Sequence, residues 1–152
     1  VSITYRIDSQ KGLTLVLWDQ KVTSDDLMAH ILRLNSDPGW PPPGRRHLAD
    51  LSTAQPDASI DPAFISQLFD LIAAQAHHLA GMKLAFVAGE FFWRAGATEP
   101  LNARYQASVI VFNSLDRACA WLGVPEEEVR RELEKMRAEL RGGVDASGQL
   151  TP

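Results

Sequence analysis

Polar and apolar residues alternate over Ser2-Ile3-Thr4-Tyr5-Arg6-Ile7-Asp8, the period of two that marks a half-buried strand. Gln10-Lys11-Gly12 supplies a turn, and Leu13-Thr14-Leu15-Val16-Leu17-Trp18 reads as a second strand, so a β-hairpin opens the chain. Thr23, Ser24, Asp25 and Asp26 then cluster as a helix N-cap and acidic first turn do. Leu27, Met28, Ile31, Leu32 and Leu34 follow at helical spacing, which predicts a helix over 24–35. Pro38, Pro41, Pro42 and Pro43 end it and favour an extended path around Trp40.

Arg45 to Leu51 reads as a third strand, followed by a polar loop from Ser52 to Ile60. Asp61 caps a helix with Pro62 at its first position, where a missing N–H costs nothing. Phe64, Ile65, Leu68, Phe69, Ile72, Ala76 and Leu79 give that helix a broad apolar face, and Gly81 ends it. The continuous apolar runs Leu84–Ala88 and Val109–Phe112 predict the two most buried strands. An irregular helical segment lies between them, from Phe91 to Ala103. Ser114 caps a short helix carrying Leu115, Ala118, Cys119 and Leu122.

Beyond Gly123 the character changes. Eleven of the sixteen residues from Glu126 to Arg141 are charged. Val129, Leu133, Met136 and Leu140 follow the 4-3-4 spacing of a narrow heptad seam. A core-facing helix normally shows a wider stripe, so this seam is expected to form the interface of a homodimer. Folding back on the chain's own sheet is the other way to bury it. Residues 142–152 read as a disordered tail. The expected organisation is an α/β domain over 1–123 with a mixed five-stranded sheet. Its order is β-β-α-β-α-β-α-β-α, followed by a charged amphipathic helix over 124–141.

That order and several local phrases resemble the STAS-like superfamily, the sulfate-transporter and anti-sigma-factor-antagonist fold, and within it an uncharacterised bacterial STAS/SEC14-like branch. The phrases are Ile3-Thr4-Tyr5 leading to Gly12-Leu13, Ala49-Asp50-Leu51-Ser52, Gly81-Met82-Lys83-Leu84-Ala85-Phe86-Val87, and Phe112-Asn113-Ser114-Leu115-Asp116-Arg117-Ala118 with Ala120-Trp121-Leu122. The resemblance implies a non-enzymatic regulatory or protein-interaction module. It also implies a phosphorylated hydroxyl at the start of the helix after the third strand, where Ser59 is the nearest residue. A turn or capping hydroxyl is the alternative reading of Ser59.

Composition narrows the picture further. Of 152 residues, 45% are hydrophobic and 22% charged, the balance of one globular domain. A net charge of −4 lacks the basic excess of a nucleic-acid partner. A lone cysteine, Cys119, suits a reducing cytoplasmic setting and reads as a small core residue. No stretch reaches the roughly 20 apolar residues of a membrane-spanning helix. The chain opens on Val1 rather than Met, which leaves room for residues before it.

The candidate chemistry sits at strand ends, where open α/β sheets bind ligands. Asp50, Ser52, Glu90 and Asn113 would converge on one rim with Phe91, Phe92 and Trp93 beside them, a polar-and-aromatic make-up suited to a small apolar or amphipathic ligand. Asp50 and Glu90 could also form an acid/base pair, although no nucleophile or oxyanion site accompanies them. His30, His47, His77 and His78 lack metal-ligand spacing, so neither a metal nor a cofactor is expected. Arg45 and Arg46, after the proline run, could meet an anionic partner.

Overall fold

The computed structural model describes residues 2–74, 76–89 and 106–142. Strand β1 (Ile3–Asp8) pairs antiparallel with β2 (Leu13–Val22), as the alternating pattern predicts. Helix α1 (Ser24–Ser36) opens on a full capping box. The Thr23 side chain accepts from the Asp26 N–H, and the Asp26 carboxylate accepts from the Thr23 N–H. Strand β3 (Arg46–Pro56), helices α2 (Pro62–Ala73) and α3 (Ala76–Leu79), and strand β4 (Lys83–Val87) follow. After them come β5 (Ser108–Phe112), α4 (Leu115–Leu122) and α5 (Glu126–Leu140). The expected helical segment at 91–103 and the tail from 143 onward lie outside the described residues.

The sheet order is β1-β2-β3-β4-β5, and β2 to β5 are all parallel. Parallel strands laid side by side in one direction, with crossovers of one hand, must carry their connections on one face. α1 and α2 do share a face. Leu27 and Leu68 pack there with Val16, Trp18, Ala49 and Leu51. α4 and α5 cover the other face, over Leu13, Leu15, Leu17, Leu48, Ala85 and Val87.

Three expectations are corrected. First, β3 does not stop at Leu51. It runs on to Pro56, because β2 also continues past Trp18 and Asp19, Gln20, Lys21 and Val22 supply partners for Thr53, Ala54, Gln55 and Pro56. Second, Val109–Phe112 is not among the most buried strands. β5 is an edge of the sheet among the described residues, and Ile110 is 39% exposed. Third, the seam of α5 takes the fold-back course against the chain's own sheet. Val129, Leu133 and Met136 are buried in the core over β2, with Leu140 packed against them. The narrow stripe suffices because α5 settles against α4 and β2, while its long charged side chains reach the sheet at either border.

Those borders are ionic: Lys11 pairs with Glu128 at 2.6 Å, and Arg6 pairs with Glu139. Arg45 and Arg46, rather than facing an anion, finish helix ends. Arg45 donates to the carbonyls of His78 and Ala80 at 2.8 and 2.9 Å, at the end of α3. Arg46 donates to those of Leu122 and Gly123 at the end of α4, and to that of Lys11. Cations suit the carbonyl ends of helices. Trp40 is buried in the core rather than displayed. The β1–β2 turn meets the proline loop where Gly12 and Gly44 touch backbone to backbone. A Cβ on Gly44 would stand 2.6 Å from the Gly12 oxygen.

Candidate functional site

The carboxyl ends of β2 and β3 hold a cluster of opposite charges. Asp19 directly follows the apolar run of β2, and its N–H donates to the Ser2 carbonyl at 2.9 Å. Across from it, β3 contains one extra residue. Asp50 partners Leu17 and Thr53 partners Asp19, so two steps along β2 match three along β3. The Ser52 N–H donates to Asp50 Oδ1 at 2.9 Å and holds this bulge. Asp50 and Thr53, which strict alternation would place on opposite faces, are thereby both turned towards α5.

α5 answers with two arginines one helical turn apart, a spacing that puts them on one side. Arg141 clamps Asp19 through Nε to Oδ2 at 2.8 Å and Nη2 to Oδ1 at 3.0 Å, a two-pronged charge-assisted contact. Thr53 Oγ1 donates to the same carboxylate at 2.7 Å. Arg137 donates from Nη2 to Asp50 Oδ2 at 3.2 Å, and its Nε stands 3.9 Å from Asp19 Oδ1. The Arg141 hydrogen bonds hold the Asp19 carboxyl below the usual carboxylate range, outweighing the burial that pushes it up; Thr53 adds to the effect. A carboxylate held in this way is a weak proton acceptor at neutral pH. The cluster is built to hold charge rather than to move protons.

Beside it opens a cleft of about 270 Å³ lined by Ser2, Asp19, Gln20, Lys21, Asp26 and Leu140. Two of its polar side chains, Ser2 and Asp26, engage each other. Ser2 Oγ donates to Asp26 Oδ2 at 2.8 Å, and the same carboxylate caps α1.

The predicted rim is only partly assembled. Asp50, Val87 and Phe112 are in register across β3, β4 and β5, so the strand ends do align. Asp50 is turned to Arg137, however, and Ser52 contributes its backbone and leaves its side chain exposed. Asn113 is exposed one residue past β5, two strands away from Asp50, or about 10 Å at ordinary strand spacing. Glu90, Phe91, Phe92 and Trp93 lie outside the described residues. Ser59 is exposed in the loop before α2, where its Oγ accepts from the Ser24 N–H at 2.8 Å and donates to Asp57. It ties that loop to the first residue of α1.

Cys119 is buried under α5, and burial pushes its thiol up to about 11. Among the described residues no three His, Cys, Asp or Glu side chains gather as a metal site, and no helix is long and apolar enough to cross a membrane. Sequence reasoning missed Asp19, Thr53, Arg137 and Arg141. The legible signals were an acid closing an apolar strand and two arginines flanking the seam at i,i+4.

No protein-family model matches the chain, and no curated protein matches it. Among solved structures it is similar to an uncharacterised protein of the DUF3478 family with a SpoIIAA-like fold from Shewanella loihica PV-4. The two share 19% identity over 80% of this chain and 94% of the other, with a TM-score of 0.51. At that identity the likeness is one of fold. The mixed five-stranded sheet, parallel from β2 to β5, is the STAS-like arrangement that the sequence resemblance implies.

Proposed function

We propose that the chain is a non-enzymatic regulatory or protein-interaction module that uses the STAS-like fold as its scaffold. The observation that carries this reading is the closure of the β2–β3 strand ends by the chain's own helix. Asp19 and Asp50, the buried acids at the usual ligand position of an α/β sheet, are neutralised by Arg141 and Arg137. Among the described residues, the hydroxyl nearest them, Thr53 Oγ1, donates to a carboxylate that Arg141 already clamps and makes a poor base, and the Cys119 thiol is buried. Such a molecule acts through its surface rather than by turning over a substrate. Ser59 belongs to the same reading as its control point. A phosphate there would meet the positive end of α1 but also crowd Asp57, loosening the tie to Ser24.

Native mass spectrometry of freshly purified protein tests this. The expected spectrum carries no bound small molecule, and pull-downs recover a protein partner whose binding changes in Ser59→Asp. A co-purified apolar or amphipathic mass would instead favour the carrier reading at the strand-end rim.

A further inference from the structure

The opposite face of the sheet holds a polar cluster that the α5 clasp does not touch. Thr14 of β2 and His47 of β3 are register partners. Because Leu13 and Leu15 face α5, alternation turns Thr14 towards α1. His30 lies on the buried side of α1, between Leu27 and Leu34. Thr14, His30 and His47 are 0%, 4% and 6% exposed. Thr14 Oγ1, His30 Nδ1 and His47 Nδ1 are all buried without a hydrogen-bond partner. Buried polar atoms are nearly always paired, and those left unpaired weaken the contact they sit in.

Among the described residues, the neighbours offer no counter-ion. From β1, the Tyr5 ring stands edge-on to His30 with centroids 5.9 Å apart, and its hydroxyl donates to Asp37 Oδ2 at 2.8 Å. Asp37, the C-cap of α1, also accepts from the Gly39 N–H. α1 itself brings Arg33, whose charge disfavours a proton on His30. From β3, His47 feels His30 as a like charge when both are protonated. α3 contributes His78, whose ring packs against Trp40 at 5.7 Å.

We propose that this uncharged cluster makes the docking of α1 on the sheet a pH-responsive joint: acidification frees α1 while α5 stays clasped on the other face. With α1 docked, either ring must stay neutral, since a proton would place a buried cation beside a second ring with no carboxylate among the described residues free to meet it. Burial accordingly holds His30 down to about 4 and His47 down to about 3, against an ordinary 6.5. Both docked values are depressed, so below pH 6.5 the opened state binds more protons than the closed one. Docking is undiminished above about pH 6.5 and weakens as pH falls towards the docked values. Each ring shifts the balance towards opening by about thirtyfold at about pH 5. The Asp19–Arg141 pair is unaffected in that window, because Asp19 is held below its ordinary value.

Hydrogen–deuterium exchange of the full chain at about pH 7 and about pH 5, corrected for intrinsic rates, is the test. The α1 amides should lose at least about tenfold protection at the lower pH while the α5 amides keep theirs. The His30→Leu/His47→Leu double variant, with His78 in place, should lose that difference. Should the variant not fold, a histidine ring NMR titration of the unaltered chain serves instead, with His30 and His47 expected to stay neutral while α1 is docked. Equal α1 protection at both pH values, equal loss in α1 and α5, or titration near 6.5 with α1 docked would each overturn the proposal.

Discussion

Arg141 and Asp19, 122 positions apart in the chain, meet through two hydrogen bonds of 2.8 and 3.0 Å. Asp19 is almost wholly buried, whereas Arg141 remains about half exposed. The pair therefore sits at the mouth of the core, and its strength should depend on the charge of the buried partner. Arg141→Met is expected to lower the urea midpoint at neutral pH, because it takes the two-pronged charged partner away from a buried carboxylate. The folded Asp19 carboxyl titrates below its unfolded value, so its contribution is complete above about pH 4 and fades as pH falls through the folded value. Urea melts of the two proteins should converge in strong acid. An undiminished difference there would assign the loss to packing instead.

The seam of α5 predicts a severe outcome for charge in its middle. Leu133→Glu with Met136→Glu should abolish cooperative folding rather than release a folded monomer, since both side chains are fully buried against β2 and α4. The milder Leu133→Ala should cost about 2–5 kcal/mol. Circular dichroism and denaturant midpoints check both. A well-folded double-glutamate variant would overturn the packing described for α5.

Gly44→Ala is expected to destabilise by roughly 1–3 kcal/mol despite its loop position. Its Cβ would fall within 2.7 Å of the Gly12 Cα and carbonyl oxygen, and backbone atoms on both sides leave nothing flexible to yield. Gly39→Ala, whose nearest atoms are side chains at 3.3 Å or beyond, is the matched control. A calorimetric comparison should show the larger drop in Tm at Gly44.

Labelling of Cys119 by a soluble thiol reagent should follow the unfolding of the α4–α5 face rather than the intrinsic thiol rate. The thiol is buried and pushed up to about 11, so little thiolate exists at neutral pH. Labelling should speed up in Leu133→Ala by about tenfold for each roughly 1.4 kcal/mol of stability lost. Rapid labelling of the unaltered chain under native conditions would contradict the burial.

Local patterns announced most of the fold. The β1–β2 hairpin, the Thr23–Asp26 capping box and the Asp61-Pro62 helix start each rest on residues within a few positions of one another, so a window of sequence contains the physics. What escaped depends on distant partners. β3 reaches Pro56 only because β2 continues beside it, and nothing in Ser52-Thr53-Ala54-Gln55 announces a strand alone. Ile110 lies in an apolar run yet faces outward, because strand order rather than composition decides which strand is an edge. The site was half visible: Asp50 was singled out for its strand-end position, but its partner Arg137 comes from a helix whose pattern suggested a different use.

The late position of α5 bears on how the chain is made. Leu13, Leu15 and Leu17 of β2 are made long before the helix that covers them, which spans Glu126–Leu140. More than a hundred residues must be synthesised before that leucine row can be shielded, which at ordinary elongation rates is a wait of roughly 5–25 s. Until then that face of the growing sheet stays uncovered. Newly made chains should accordingly depend on a holding chaperone that the completed protein no longer binds.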